Sequence, residues 1–206
     1  MANTTTQEPA FRGLLILVNA TLYALAFFGN ALVLCAFIKF PSLRVKECLY
    51  LIASLALCDM SAGLFATFLM IMLLLENFGL TNSYTKFQCL SFGVPSQGAM
   101  LAGQLITLRI GFDRFELFRD QMSYRFKDHS RYAKHSIAFS LCFAYAFISL
   151  AYIGLDYNTV MPFCSTVICY TDFFIVSLLM FIVLIGTAVL VFYISAIVLM
   201  RNTTKS

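Results

Sequence analysis

Residues 173–200 read FFIVSLLMFIVLIGTAVLVFYISAIVLM and carry no charge. A helix needs about 20 mostly apolar residues to cross the hydrocarbon core of a bilayer, and this stretch is longer. Strands of a membrane barrel are about 10 residues long and alternate in polarity, which this stretch does not. Similar apolar stretches predict four further spans. The sequence therefore predicts one all-α transmembrane domain, a bundle of five helices at about residues 13–38, 48–75, 87–112, 135–155 and 173–200.

The overall composition points the same way. Hydrophobic residues make up 61% of the chain and charged residues 12%, and the mean hydropathy is +0.85. Soluble domains are about half apolar and a quarter charged, so a soluble globule could not bury this much apolar surface. Membrane lipids are the surroundings that this composition predicts.

The basic residues predict the orientation of the spans. Twelve of the 14 Lys and Arg residues flank the spans on one side, and Lys and Arg collect on the cytosolic side of membrane proteins. The amino terminus is thus expected outside and the carboxyl terminus in the cytosol. Asn3, in Asn3-Thr4-Thr5, is then an outside N-glycosylation acceptor. Topology accounts for the net charge of +4, and no nucleic-acid partner is expected.

Three of the seven cysteines, Cys89, Cys164 and Cys169, are predicted outside, where disulfides form. One disulfide from Cys89 to the loop before the fifth span would leave one outside cysteine spare, and the spacing does not choose between the two. No Cys or His spacing suggests zinc, and the sequence predicts no metal site and no cofactor.

Asp59 is the one ionisable residue predicted at mid-membrane, where a charge costs on the order of 3 kcal/mol. One interpretation is a packing carboxylate that is hydrogen-bonded to Asn30 or to a hydroxyl. The other is a switch or an ion site. The residue alone favours neither.

A second polar feature, Asp113-Arg114-Phe115, ends the third predicted span. A charged cluster at a helix end is most often an interface anchor. Its position is informative, however, because Cys89 and Arg114 are 25 residues apart, about 37 Å along a helix and enough for one membrane crossing.

These features occur in an order that resembles the rhodopsin-like G-protein-coupled receptors, and more closely the nematode serpentine chemoreceptors of class sx. The resemblance covers about residues 29–125 well and the rest weakly. It rests on Gly29-Asn30-Ala31-Leu32-Val33, the basic loop Leu43-Arg44-Val45-Lys46-Glu47-Cys48, Ser54-Leu55-Ala56-Leu57-Cys58-Asp59, Cys89, Gly111-Phe112-Asp113-Arg114-Phe115 and Tyr124-Arg125.

The resemblance implies roles for residues at both ends of the third span. Arg114 would pair with Asp113 at rest and, with Phe115 beside it, contact a heterotrimeric G protein when active. Cys89 would bond Cys164, which follows Met161-Pro162-Phe163 as in relatives.

Further implications concern the interior of the bundle. Asp59 would be an interior switch with Asn30 as its hydrogen-bond partner. An unidentified extracellular ligand, a small molecule or a peptide, would contact Ser96, Gln97 and Met100.

The chain also departs from the family pattern. It contains no Trp, and Gly103 stands where a hydroxyl often serves sodium. It stops at Ser206, shortly after the fifth span, so that it corresponds to the first five helices of a receptor and is expected to be truncated.

The leading hypothesis is a plasma-membrane chemosensory receptor. The alternative is a truncated, non-signalling form that forms an oligomer with full-length receptors, and a small transporter or channel is less favoured. An enzyme is not expected, because Asp59 has no second catalytic group at its depth.

Overall fold

The computed structural model describes residues 9–44, 48–80, 84–120, 122, 124, 126, 128–161 and 164–203. Asn3, the predicted glycosylation site, lies outside the described residues. Within them the secondary structure is helical, with one isolated antiparallel bridge between Thr85 and Val160. The prediction of an all-α fold is confirmed.

Five long helices make up the bundle. They are α1 (Pro9–Lys39), α3 (Cys48–Asn77), α4 (Lys86–Arg119), α5 (His129–Ser149) and α7 (Asp172–Thr203). Two single turns lie between them, α2 (Pro41–Arg44) and α6 (Thr166–Cys169), and a 3₁₀ turn at Leu150–Tyr152 extends α5.

Four of the described helices contain a stretch that is long and apolar enough to cross a membrane: Phe11–Lys39, Leu49–Asn77, Ser130–Tyr152 and Asp172–Arg201. The long helix α4 is not among them, because Gln, Ser and Gly residues lower the hydropathy of its uncharged part and several charged residues follow from Arg109 onwards. It packs against α3, α5 and α7 and has many buried residues. The most polar helix is therefore the one that protein surrounds, as its glutamines predict.

Helix α1 packs chiefly against α3, and small residues permit a close crossing. A Cβ atom added to Gly63 of α3 would lie 2.8 Å from the carbonyl oxygen of Tyr23 and 2.9 Å from the amide nitrogen of Phe27. Those neighbours are backbone atoms and cannot rotate away. Small residues let transmembrane helices approach in this way.

The start of α4 is fixed by several local interactions. Thr85 caps the helix, and its side chain and that of Gln88 form a reciprocal capping box. Backbone hydrogen bonds from Lys86 to Thr159 and from Met161 to Tyr84, both 2.9 Å, hold the loop after α5 beside this end. We call it the disulfide end of the bundle, because Cys89 lies here, and we call the opposite end of α4 the Arg114 end.

Candidate functional site

At the Arg114 end, Asp113 is buried and has two partners. One carboxylate oxygen, Oδ1, lies 3.9 Å from Nη2 of Arg109. The other, Oδ2, accepts a hydrogen bond from the hydroxyl of Tyr124 at 3.0 Å. The acid is therefore satisfied by a cation one helical turn before it and by a hydroxyl in the segment that follows the helix.

Arg109 is the centre of this cluster. Its Nη2 also lies 3.5 Å from the Glu116 carboxylate, and its side chain is only 12% exposed. The guanidinium carbon lies 4.0 Å from the ring centroid of Tyr132 on α5 and 5.1 Å from that of Phe112. Cations are attracted to aromatic faces at such distances, so Arg109 also joins α4 to α5.

The resemblance implied an ion pair between Asp113 and Arg114, and the structure has a different one. In the part of the chain that the structure describes, the ion pair of Asp113 is with Arg109. Residues four apart lie on one face of a helix, whereas adjacent residues point about 100° apart. Arg114 is half-buried and has no ion pair with a described residue.

Phe115 belongs to an aromatic cluster at the same end. Its ring lies 6.4 Å from that of Phe112 and 5.8 Å from that of Phe192 on α7, measured between centroids. Gly111 leaves room for α7 beside α4, because a Cβ there would lie 3.2 Å from the ring of Tyr193 and 3.6 Å from the Cβ atom of Phe192. Phe115 thus helps to hold α7 against α4.

A second candidate site is a cavity of about 420 Å³ between α3, α4 and α7. Asp59 and Gln104 supply polar atoms to it, and Oε1 of Gln104 is buried without a hydrogen-bond partner among the described residues. Gly103 leaves room for the acid, because a Cβ there would lie 3.4 Å from Oδ1 of Asp59. The rest of the lining is Leu55, Met100, Thr107, Ile182, Ile185, Gly186 and Val189.

Asn30 does not form the hydrogen bond to Asp59 that was expected. Its amide donates to the carbonyl oxygen of Ala26 at 2.9 Å, one turn earlier in α1. The amide of Asn30 thus finds its hydrogen-bond acceptor within its own helix. Among the described residues Asn30 and Asp59 share no hydrogen bond.

The three predicted ligand contacts do not face one cavity. Met100 lines the Asp59 cavity. Ser96 is buried, and its hydroxyl donates to the carbonyl oxygen of Ala62 on α3 at 3.2 Å. Gln97 is half-buried and is not part of the cavity lining. Ser96 therefore has a packing contact where the sequence predicted a ligand contact.

At the disulfide end, Cys89 and Cys164 form a disulfide with a Cα separation of 5.4 Å, the pairing that the resemblance implied. The Glu76 carboxylate accepts the backbone N–H of Cys164 at 3.2 Å. Cys169 is free and buried beside Met161, and burial raises the pKa of its thiol. The loop before α7 is therefore tied to both α3 and α4.

Sequence reasoning did not single out Arg109, Tyr132 or Glu76. Arg109 precedes Asp113 by four residues and Glu116 by seven, a spacing that places all three on one face of a helix. That signal was present in the sequence. The stacking of Arg109 on Tyr132 and the hydrogen bond from the Cys164 N–H to Glu76 join distant segments, and no local spacing indicates them.

Among the described residues, His, Cys, Asp and Glu side chains form no group of three that could hold a metal ion. The described sites consist of ion pairs, hydrogen bonds and packed helices. These properties define a helical membrane protein with a buried charged cluster near one end of its central helix and a disulfide at the other.

A comparison with protein families identifies the kind of membrane protein. The model for the serpentine type 7TM GPCR chemoreceptor Srsx matches residues 23–206. The chain belongs to this family of chemoreceptor-like membrane proteins. No curated protein matches the sequence.

Proposed function

We propose that the chain is a chemosensory receptor that couples to a heterotrimeric G protein through Asp113, Arg114 and Phe115. The observation that carries the proposal is Arg114, a cation near the end of the central helix that has no ion pair with a described residue. An unpaired guanidinium can donate several hydrogen bonds to carbonyl groups of a partner protein. Family membership supports the same role.

The proposed orientation has the disulfide end outside the cell and the Arg114 end in the cytosol of a plasma-membrane protein. Disulfides form in oxidising compartments, which supports placing Cys89 and Cys164 outside. Asn3 would then carry a glycan. Glycosidase treatment should increase the mobility of the wild-type chain and leave Asn3→Gln unchanged. Asn202-Thr203-Thr204 is also an acceptor sequence, at the end expected in the cytosol, and a glycan on Asn202 would contradict this orientation.

The ligand is proposed to contact Met100 in the cavity, with Asp59 as an interior switch. Gln97 lies outside the lining, about one turn before Met100 in α4, and would contact a ligand that extends beyond the cavity. Ser96 would act indirectly by holding α3 against α4. A small molecule or a peptide group of modest size fits a cavity of about 420 Å³.

G-protein activation tests the proposal directly. Membranes that contain the chain are mixed with a panel of purified G proteins, and basal guanine-nucleotide exchange is compared with that of empty membranes. We expect exchange above background with at least one G protein and its loss in Arg114→Ala. Lys134→Ala removes an exposed charge from α5 and should leave exchange unchanged. Equal exchange in wild type and Arg114→Ala would contradict the role of Arg114.

A second candidate function is assembly with a full-length receptor of the same family without signalling. The unpartnered Oε1 of Gln104 and the carboxylate of Asp59, both at the cavity between α3, α4 and α7, favour it. Polar groups in a membrane interior favour association with another helix. Co-purification with a tagged full-length relative should be lost in the double variant Asp59→Leu, Gln104→Leu. Co-purification that is unaffected would exclude this contact.

A further inference from the structure

Arg109 is a largely buried cation, ten residues before the end of α4 and thus about 15 Å from it along the axis. An ionisable residue in such a place is costly and usually marks function, with a specific partner. Two acids, Asp113 and Glu116, lie within 4 Å of one nitrogen, Nη2. One cation therefore serves both acids on this face of the helix.

The pairing has a consequence for the next residue. Asp113 is adjacent to Arg114 in sequence, yet its two oxygens are used by Arg109 and by the hydroxyl of Tyr124. Because both oxygens of Asp113 already have partners, an additional ion pair with Arg114 would add little stability. The Arg114 side chain also points about 100° away from Asp113 around the helix axis. Arg114 is left without an acidic partner among the described residues.

Arg109 is itself held in place from the neighbouring helix. The guanidinium carbon of Arg109 lies 4.0 Å from the ring centroid of Tyr132 on α5 and 5.1 Å from that of Phe112 on α4. The planar guanidinium can stack on a ring and pair with a carboxylate at the same time, whereas the ammonium group of Lys supplies the charge without the planar face.

We propose that Arg109 is the counter-ion of Asp113 and that, by occupying this acid, it keeps Arg114 available for the G protein. Arg109 is thus a positioning residue, which acts on the partner protein only through Arg114. The availability of Arg114 rests on the proposed function, whereas the pairing of Asp113 with Arg109 does not.

The pairing is tested by two double-variant cycles in thermal stability, measured on the detergent-purified full chain. Arg109→Gln and Asp113→Asn, singly and together, should depart from additivity by about 3 °C in melting temperature, the shift expected for about 1 kcal/mol of coupling. Arg114→Gln with Asp113→Asn should be additive. Greater coupling of Asp113 with Arg114 than with Arg109 would overturn the proposal.

The consequence for Arg114 is tested by basal nucleotide exchange in membranes, normalised to the amount of folded receptor. Arg109→Gln leaves Asp113 free to pair with Arg114 and should reduce exchange about fivefold, the factor equivalent to about 1 kcal/mol. Asp113→Asn added to Arg109→Gln should restore exchange, which a merely structural role of Arg109 would not do. Lys134→Ala, which removes an exposed charge from α5, should leave exchange unchanged.

The outcomes separate the two claims. Arg109→Lys keeps the charge and should retain most of the exchange even where Arg109→Gln folds poorly. If Arg109→Gln lacks an effect, or if the double variant is not restored, Arg109 does not control Arg114. If the stability coupling is present but wild-type exchange equals that of empty membranes, the proposed function fails while the pairing stands.

Discussion

Glu76 at the end of α3 accepts the backbone N–H of Cys164 at 3.2 Å, a contact between residues 88 positions apart. The bond joins α3 to the disulfide that links α4 with the loop before α7. Because hydrogen bonds to charged groups contribute about 1.5–3 kcal/mol, Glu76→Ala should lower the free energy of unfolding by about that amount. Glu76→Gln keeps an acceptor and should lose less. Thermal unfolding of the purified chain measures both, and an equal loss would contradict the geometry.

Removal of the disulfide should have a larger effect. Cys89 and Cys164 are separated by 75 residues, and a cross-link that closes such a loop contributes about 4 kcal/mol on chain-entropy grounds. Cys89→Ala should therefore lower the melting temperature strongly. Cys169→Ala removes a free, buried cysteine of the same end and should cost much less. If the two variants lose equal stability, the disulfide does not stabilise this end.

The crossing of α1 and α3 depends on Gly63. Gly63→Ala would place a methyl group 2.8 Å from the backbone of α1, so the helices must separate, at a cost of about 1–3 kcal/mol. Gly29→Ala is the matched control, since its Cβ would have no neighbour within 4 Å. Melting temperatures of the two variants should differ by several degrees. Equal values would show that the helices do not cross closely at Gly63.

Tyr170 predicts a specific response to alkaline pH. Burial raises the pKa of its phenol to about 12 from an ordinary value of 10.0. The neutral phenol is favoured in the folded state, so its stabilising contribution is complete below pH 10 and is lost as the pH rises through about 12. Ultraviolet titration of tyrosine in the folded chain should include a late step near pH 12 that belongs to Tyr170.

The control for this titration uses two phenylalanine variants. Tyr170→Phe should abolish the late step, and it should not lower stability near neutral pH, since the hydroxyl is buried without a partner among the described residues. Tyr157→Phe removes a half-exposed tyrosine and should leave the late step in place. Loss of the late step in Tyr157→Phe would show that the step does not belong to Tyr170.

Four of the five long helices could be predicted from the sequence because each contains a stretch long and apolar enough to cross a bilayer. Helix α4 could be predicted because residues 87–108 carry no charge. Their ends were less predictable. The third span is predicted to end near residue 112, shortly after charges return at Arg109, and the helix itself continues to Arg119. The apolar pattern ends at Arg109, but the helix does not. It continues because Arg109 forms ion pairs with Asp113 and Glu116 along one face of α4.

The candidate site was predicted as a region and not as a set of contacts. The sequence located Asp113 and Asp59, since a charge in an apolar segment is conspicuous. It did not give their partners, because Arg114 and Asn30 were chosen from family motifs, whereas side-chain direction decides which groups meet. Tyr124 and Tyr132 reach the site from later segments, and only the folded chain brings them there.

The polarity of α4 bears on how the chain enters a membrane during synthesis. A segment with several Gln residues and an ion-paired Arg gains less from lipid than its neighbours do, and it becomes favourable when α3, α5 and α7 surround it. We therefore expect α1 and α3 to integrate first as a close pair and α4 to follow only against α3. A substitution on the α4-facing side of α3 would then act as a defect in biogenesis, seen as degradation of newly made chains.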